Sequence, residues 1–78
     1  MVRAYDMMRV GSSQYLGAAR TIKEKIEKMR GVLRVEMIFG CFDIIAEVEV
    51  KDLKELDRIT DKLKNLPSIL STESFICY

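Results

Sequence analysis

The chain has 78 residues, 49% hydrophobic and 32% charged, with Lys plus Arg (13) against Asp plus Glu (12) leaving a net charge of +1. That length is one small domain, residues 1–78, and its hydrophobic content excludes disorder; a chain of this size hides only about 60% of its unfolded surface and is marginal as a lone monomer. The neutral balance argues against a nucleic-acid surface, which is usually strongly basic, and the absence of His removes the commonest general base and metal ligand, so no enzyme, metal or cofactor is expected.

The first strand is expected from about Val2 to Val10. Tyr15, Ala19, Ile22, Ile26 and Met29 then recur at steps of four and three, with Lys23, Glu24, Lys25, Glu27 and Lys28 on the other side. That is the stripe of an amphipathic helix. Ser12 or Ser13 can cap its start, and Gly31 can take the left-handed conformation beyond its last turn. Two strands of period two follow. Leu33, Val35, Met37 and Phe39 alternate with Arg34, Glu36 and Ile38. Phe42, Ile44, Ala46, Val48 and Val50 alternate with Asp43, Ile45, Glu47 and Glu49. Gly40-Cys41 between them suits a two-residue type II′ hairpin.

Leu53, Leu56, Ile59, Leu63 and Leu66 mark a second helix. Asp52 with Glu55 three residues on reads as a capping box, and Pro67 forbids continuation. A last strand runs from about Leu70 to Tyr78. The order βαββαβ predicts an α+β, ferredoxin-like fold: a four-stranded antiparallel sheet carrying both helices on one face.

A shift of 37 residues superposes the two halves without a gap. Tyr5-Asp6-Met7-Met8 falls on Phe42-Asp43-Ile44-Ile45, Ile22 on Ile59, Ile26 on Leu63, and Gly31 on Ser68. This duplication predicts that Tyr5 and Met7 face the helices. Asp6 then lies on the other face, with no role to choose for it beyond pairing with Arg3 or Arg9 or polarising that face. Ala4, Met8, Ile38, Ile45 and Phe75 are expected there too, and no third layer is available to cover them. Exposed apolar patches mark partner surfaces. The sequence therefore predicts a homodimer with two sheets facing each other, Met8, Ile38, Ile45 and Phe75 forming the dimer face.

No apolar run approaches the ~20 residues of a membrane span, and the N-terminus carries no signal core. A cytoplasmic protein is expected, with Cys41 and Cys77 as free thiols.

Several segments share spacing with one family. They are Val2-Arg3-Ala4-Tyr5, then Val35-x-x-x-Phe39-Gly40-x-Phe42-Asp43-Ile44, then Glu47-Val48-Glu49-Val50-x-Asp52-Leu53-x-Glu55-Leu56, and finally Leu66-Pro67-Ser68-Ile69-x-Ser71-Thr72-x-Ser74. In this the chain resembles the ligand-binding (RAM-type) domain of the Lrp/AsnC transcription regulators, in a form without the N-terminal helix-turn-helix. Asp6, the Gly11-Ser12-Ser13-Gln14 approach to the first helix, Ser68 in place of the usual Gly, and Ser74 in place of the second Thr depart from the family pattern.

The resemblance implies a non-enzymatic module that binds an amino acid effector between dimers, near the turn between the second and third strands and the last strand. It also implies a ring of dimers and full-length Lrp/AsnC regulators as partners. The ligand-binding set it suggests is Phe39, Gly40, Cys41, Phe42, Asp43, Thr72 and Ser74. Asp43 would meet the ammonium group, the turn amides the carboxylate, and the hydroxyls of Thr72 and Ser74 would add hydrogen bonds. Each has an ordinary structural role as well: Asp43 as an Asx-type turn residue, Gly40 as hairpin geometry, Thr72 and Ser74 as strand residues facing the helices. The alternative function is a ligand-independent partner that co-assembles with full-length regulators.

Overall fold

The computed structural model describes residues 1–11 and 15–77, with the side chains of α1 described from residue 19 onward. The order is β1 (Val2–Val10), α1 (Tyr15–Glu27), β2 (Val32–Met37), β3 (Ile44–Val50), α2 (Leu53–Lys64) and β4 (Ile69–Cys77). One antiparallel sheet has the spatial order β2-β3-β1-β4. The predicted βαββαβ architecture is therefore the observed one. The proposed caps Ser12 and Ser13 lie outside the described residues, as does the side chain of Tyr15.

Local bonds fix both ends of α2. In α2 the Glu55 amide donates to Asp52 Oδ1 at 2.9 Å, and Glu55 Oε2 accepts from the Lys51 amide at 3.2 Å. The capping box is thus present, with its return bond one residue before the cap. The stripe buries Leu56, Ile59 and Leu63, while Leu53 stays exposed. At the other end the Asn65 side-chain amide donates to the Asp61 carbonyl at 2.8 Å. Ser68 then turns the chain at φ 70, a left-handed conformation that costs a non-glycine residue roughly 1–2 kcal/mol. Its counterpart in the duplication, Gly31, has φ 94. A Cβ on Gly31 would also stand 2.9 Å from Ile59 Cδ1.

The core lies between sheet and helices. Ala19, Ile22 and Ile26 of α1 and Leu56, Ile59 and Leu63 of α2 meet Val35, Ile44, Ala46, Val48 and Val50. Burying one such large side chain contributes about 1.5–3 kcal/mol.

The inward row of β1 corrects the sequence reading. Ala4, Asp6, Met8 and Val10 are buried on the helix side, while Tyr5 and Met7 are only half-buried, in the row of Arg3 and Arg9. Met8 therefore belongs to the core, not to the dimer face, and Met7 takes its place on the open face.

The cause is an extra residue in the first connection. The Gly11 amide donates to the Ser68 carbonyl at 2.9 Å, and the Glu49 amide donates to the Gly31 carbonyl at 2.8 Å. These bonds make Gly11 and Glu49 equivalent. Ala19 lies eight residues after Gly11, whereas Leu56 lies seven after Glu49. An ungapped repeat sets the helices in phase and puts β1 one residue out, and one residue reverses a strand's faces.

The hairpin also differs from expectation. β2 ends at Met37 and β3 begins at Ile44, and the Ile38 amide donates to the Asp43 carbonyl at 2.9 Å. The loop closed by that bond holds residues 39–42, not a two-residue Gly40-Cys41 turn. Gly40, at φ 136, still adopts a backbone conformation that favours glycine.

Candidate functional site

The loop of residues 39–42 stands at the end of the sheet beside the close of β1. Three hydrogen bonds fix it there. The Asp43 amide donates to the Met8 carbonyl at 2.8 Å, the Val10 amide donates to Asp43 Oδ2 at 2.7 Å, and the Ile38 amide closes the loop. The Asp43 carboxylate thus ties the loop to the neighbouring strand β1. A carboxylate has about four lone-pair sites and accepts several donors at once. The Arg9 guanidinium lies 5.5 Å from the centroid of the Phe42 ring, a cation–π contact worth about 0.5–1 kcal/mol at an exposed site. Phe39 is 90% exposed, and Cys41 is exposed and free. The structure therefore brings Phe39, Gly40, Cys41, Phe42 and Asp43 together.

It does not bring Thr72 and Ser74 to them. Asp6 pairs with Ser74 and Met8 with Thr72, so both β4 hydroxyls share the inward face of β1. Ser74 Oγ donates to Asp6 Oδ1, and it lies 3.2 Å from Thr60 Oγ1 of α2. These polar groups tie β1, β4 and α2 together under the sheet. Burial pushes the Asp6 carboxyl above the usual carboxylate range, while the hydroxyls of Ser74 and Thr60 and the charge of Lys64 act against that rise. Asp6 Oδ2 and Thr72 Oγ1 are buried and have no hydrogen-bond partner among the described residues.

The duplication places Asp6 outward, whereas the structure buries it. Arg3 and Arg9 flank Tyr5 and Met7 in the alternate row. Two arginines in that row were the signal that it, and not the row of Asp6, faces outward.

The open face of the sheet carries Met7, Ile38 and Ile45, all half-buried, and Phe75, 49% exposed. Polar groups border them. Tyr5 Oη donates to Glu47 Oε2 at 3.3 Å, Arg3 Nε lies 3.8 Å from the same oxygen, and Arg34 Nε lies 3.8 Å from Glu36 Oε1. Pairs at the surface of this kind contribute little to stability, because water and salt screen them. Among the described residues no three His, Cys, Asp or Glu side chains gather to hold a metal ion, and no helix is long and apolar enough to cross a membrane.

The sequence matches the family model of the Lrp/AsnC ligand binding domain over residues 8–78. Among solved structures, the one titled FFRP-DM1 shares 32% identity at a TM-score of 0.86, with all of both chains covered. The hypothetical protein PHS023 from Pyrococcus horikoshii shares 32% identity at a TM-score of 0.84, covering 100% of this chain and 90% of its own. AsnC of E. coli has the same fold, with 19% identity and a TM-score of 0.84; the alignment covers 97% of this chain and 50% of AsnC. None of the curated proteins matches the sequence.

Proposed function

Because the chain belongs to the Lrp/AsnC family of ligand-binding domains, we propose that it is a sensing and assembly module whose hairpin takes a free amino acid where two dimers meet. The observation that carries this reading is the hairpin itself. It presents an exposed aromatic ring, Phe39, next to a carboxylate, Asp43, whose position the Val10 amide fixes. A zwitterion offers an ammonium group to such a carboxylate, and the charge-assisted bond contributes about 1.5–3 kcal/mol. The apolar side chain of the ligand packs on Phe39. A neighbouring dimer covers the loop, since one exposed loop encloses little of a ligand.

The dimer forms by packing open sheet faces together through Met7, Ile38, Ile45 and Phe75. In the cytoplasm such dimers assemble further, and ligand binding changes how they associate with full-length Lrp/AsnC regulators. Thermal unfolding in the presence of each of the twenty amino acids tests this reading. One of them should stabilise the protein by about 2.7 kcal/mol at a hundredfold excess over Kd, and Asp43→Asn should abolish that gain. No stabilisation by any amino acid would contradict it.

A second reading has one observation in its favour. With Thr72 and Ser74 turned beneath the sheet, the hairpin has fewer polar groups of its own, as suits a loop that only joins subunits. On that reading the chain co-assembles with full-length regulators whether or not an amino acid is present, and Asp43→Ala leaves co-purification unchanged.

A further inference from the structure

Little apolar packing holds β4 to the rest of the molecule. It is an edge strand, paired with β1 alone, and none of its described residues is buried. Leu70, Phe75 and Ile76 all stand exposed. A segment with few buried apolar contacts is one that opens locally while the rest of a protein stays folded. Besides the ladder to β1, the tie that reaches β4 from within is polar. Ser74 Oγ donates to Asp6 Oδ1 and lies 3.2 Å from Thr60 Oγ1, so one buried carboxylate joins β1 to β4 and α2.

That carboxylate is poorly compensated. Asp6 is 0% exposed, and Asp6 Oδ2 has no hydrogen-bond partner among the described residues. The groups that face it are Thr60 and Lys64 of α2, Thr72 and Ser74 of β4, and Ala46, its apolar partner on β3. The buried side chains of α1 are apolar too. Lys64 is the one charge among the described residues that acts on Asp6, and it lies exposed, where water screens it. A neutral carboxyl tolerates such a place, whereas an ionised one is destabilised there. Burial accordingly holds the Asp6 carboxyl above the usual carboxylate range.

We propose that Asp6 is a proton-controlled latch for β4: protonated, it lets the strand close against β1 and α2, and ionised, it is relieved of burial when β4 swings away and admits water. The proton passes to solvent on opening and returns from it on closing. Ser74 is exposed at the edge of the sheet, so a small displacement of the strand hydrates the carboxylate. Because β4 also carries Phe75, opening withdraws that ring from the open face. This link to assembly rests on the proposed packing of open faces, whereas the latch lies within one protomer.

The test is amide hydrogen exchange of the full chain, followed residue by residue from about pH 4 to pH 7, with each rate compared with that of an unstructured peptide at the same pH to give a protection factor. The open form gives up its proton near 3.8 and the closed form at a higher pH. In the parent, β4 protection should therefore fall by up to about tenfold per pH unit and level off once the closed form has ionised. The ladder between β2 and β3 should stay better protected than β4 throughout. Asp6→Asn, neutral at every pH, should remove the slope. Ser74→Ala, at an exposed position, should lower β4 protection at pH 7 by about tenfold or more, because it takes away a hydrogen bond to the charged carboxylate. Where open faces pack, β4 protection should also rise with protein concentration; if it does not, the link to assembly fails and the latch stands. Three results would overturn the latch: β4 protection that does not change with pH in the parent, a slope that survives in Asp6→Asn, or β4 amides as protected as those between β2 and β3, which would mean that the strand opens only with the whole molecule.

Discussion

Asp6 sits where an aliphatic side chain would complete the core, fully buried under α2 with one oxygen on Ser74 and the other without a hydrogen-bond partner among the described residues. A buried carboxylate is destabilising in its charged form, and that fixes a sign for the pH dependence. Asp6 in the unfolded chain titrates near 3.8, and burial raises its value in the folded chain. The folded state thus keeps the proton to a higher pH than the unfolded state. Stability from the protonated carboxyl is full below 3.8 and is lost as pH rises through the folded value. Asp6→Asn is neutral at every pH. Urea unfolding should therefore find the variant more stable than the parent at pH 7, and the difference should shrink as pH falls. A parent that gains on the variant as pH rises would contradict the sign. The sequence signalled this residue only indirectly, because an Asp within a strand reads as outward-facing and nothing in the local pattern reports hydroxyls arriving from Thr60 and Ser74.

The elements show where periodicity is informative and where it fails. Both helices were legible because their stripes recur at three and four, and because Asp52 and Pro67 mark the ends of α2. Capping is local chemistry and can be measured as such. Asp52 Oδ1 accepts the Glu55 amide, so Asp52→Ala should lower stability by about 1 kcal/mol, read as a shift in the urea midpoint without a change in slope. An unchanged midpoint would mean that the cap contributes nothing. The inward row of β1 was not legible, because its phase depends on the length of a connection rather than on its own residues. Alternation in β1 is ambiguous: Ala4, Met8 and Val10 make one apolar row, and Tyr5 and Met7 nearly make another. The hairpin residues were legible as a group. The length of the loop was not, since Ile38 and Asp43 extend the ladder by a bond that no residue type announces.

At the scale of the whole molecule, a single sheet with helices on one side leaves its other side bare. Met7, Ile38, Ile45 and Phe75 lie there among paired charges, an apolar centre with a polar rim, the usual anatomy of an interface. Ile45 is central, on the inner strand β3. On the proposed packing of open sheet faces, Ile45→Lys puts a charge at the centre of the interface and should leave a monomer, while the far-UV spectrum stays that of the folded chain because the core lies on the opposite side. The most direct measurement is the mass of the unliganded protein by sedimentation equilibrium at tens of micromolar. Twice the 9.0 kDa chain mass or a higher even multiple is expected; a single species at 9.0 kDa would contradict the packing of open sheet faces.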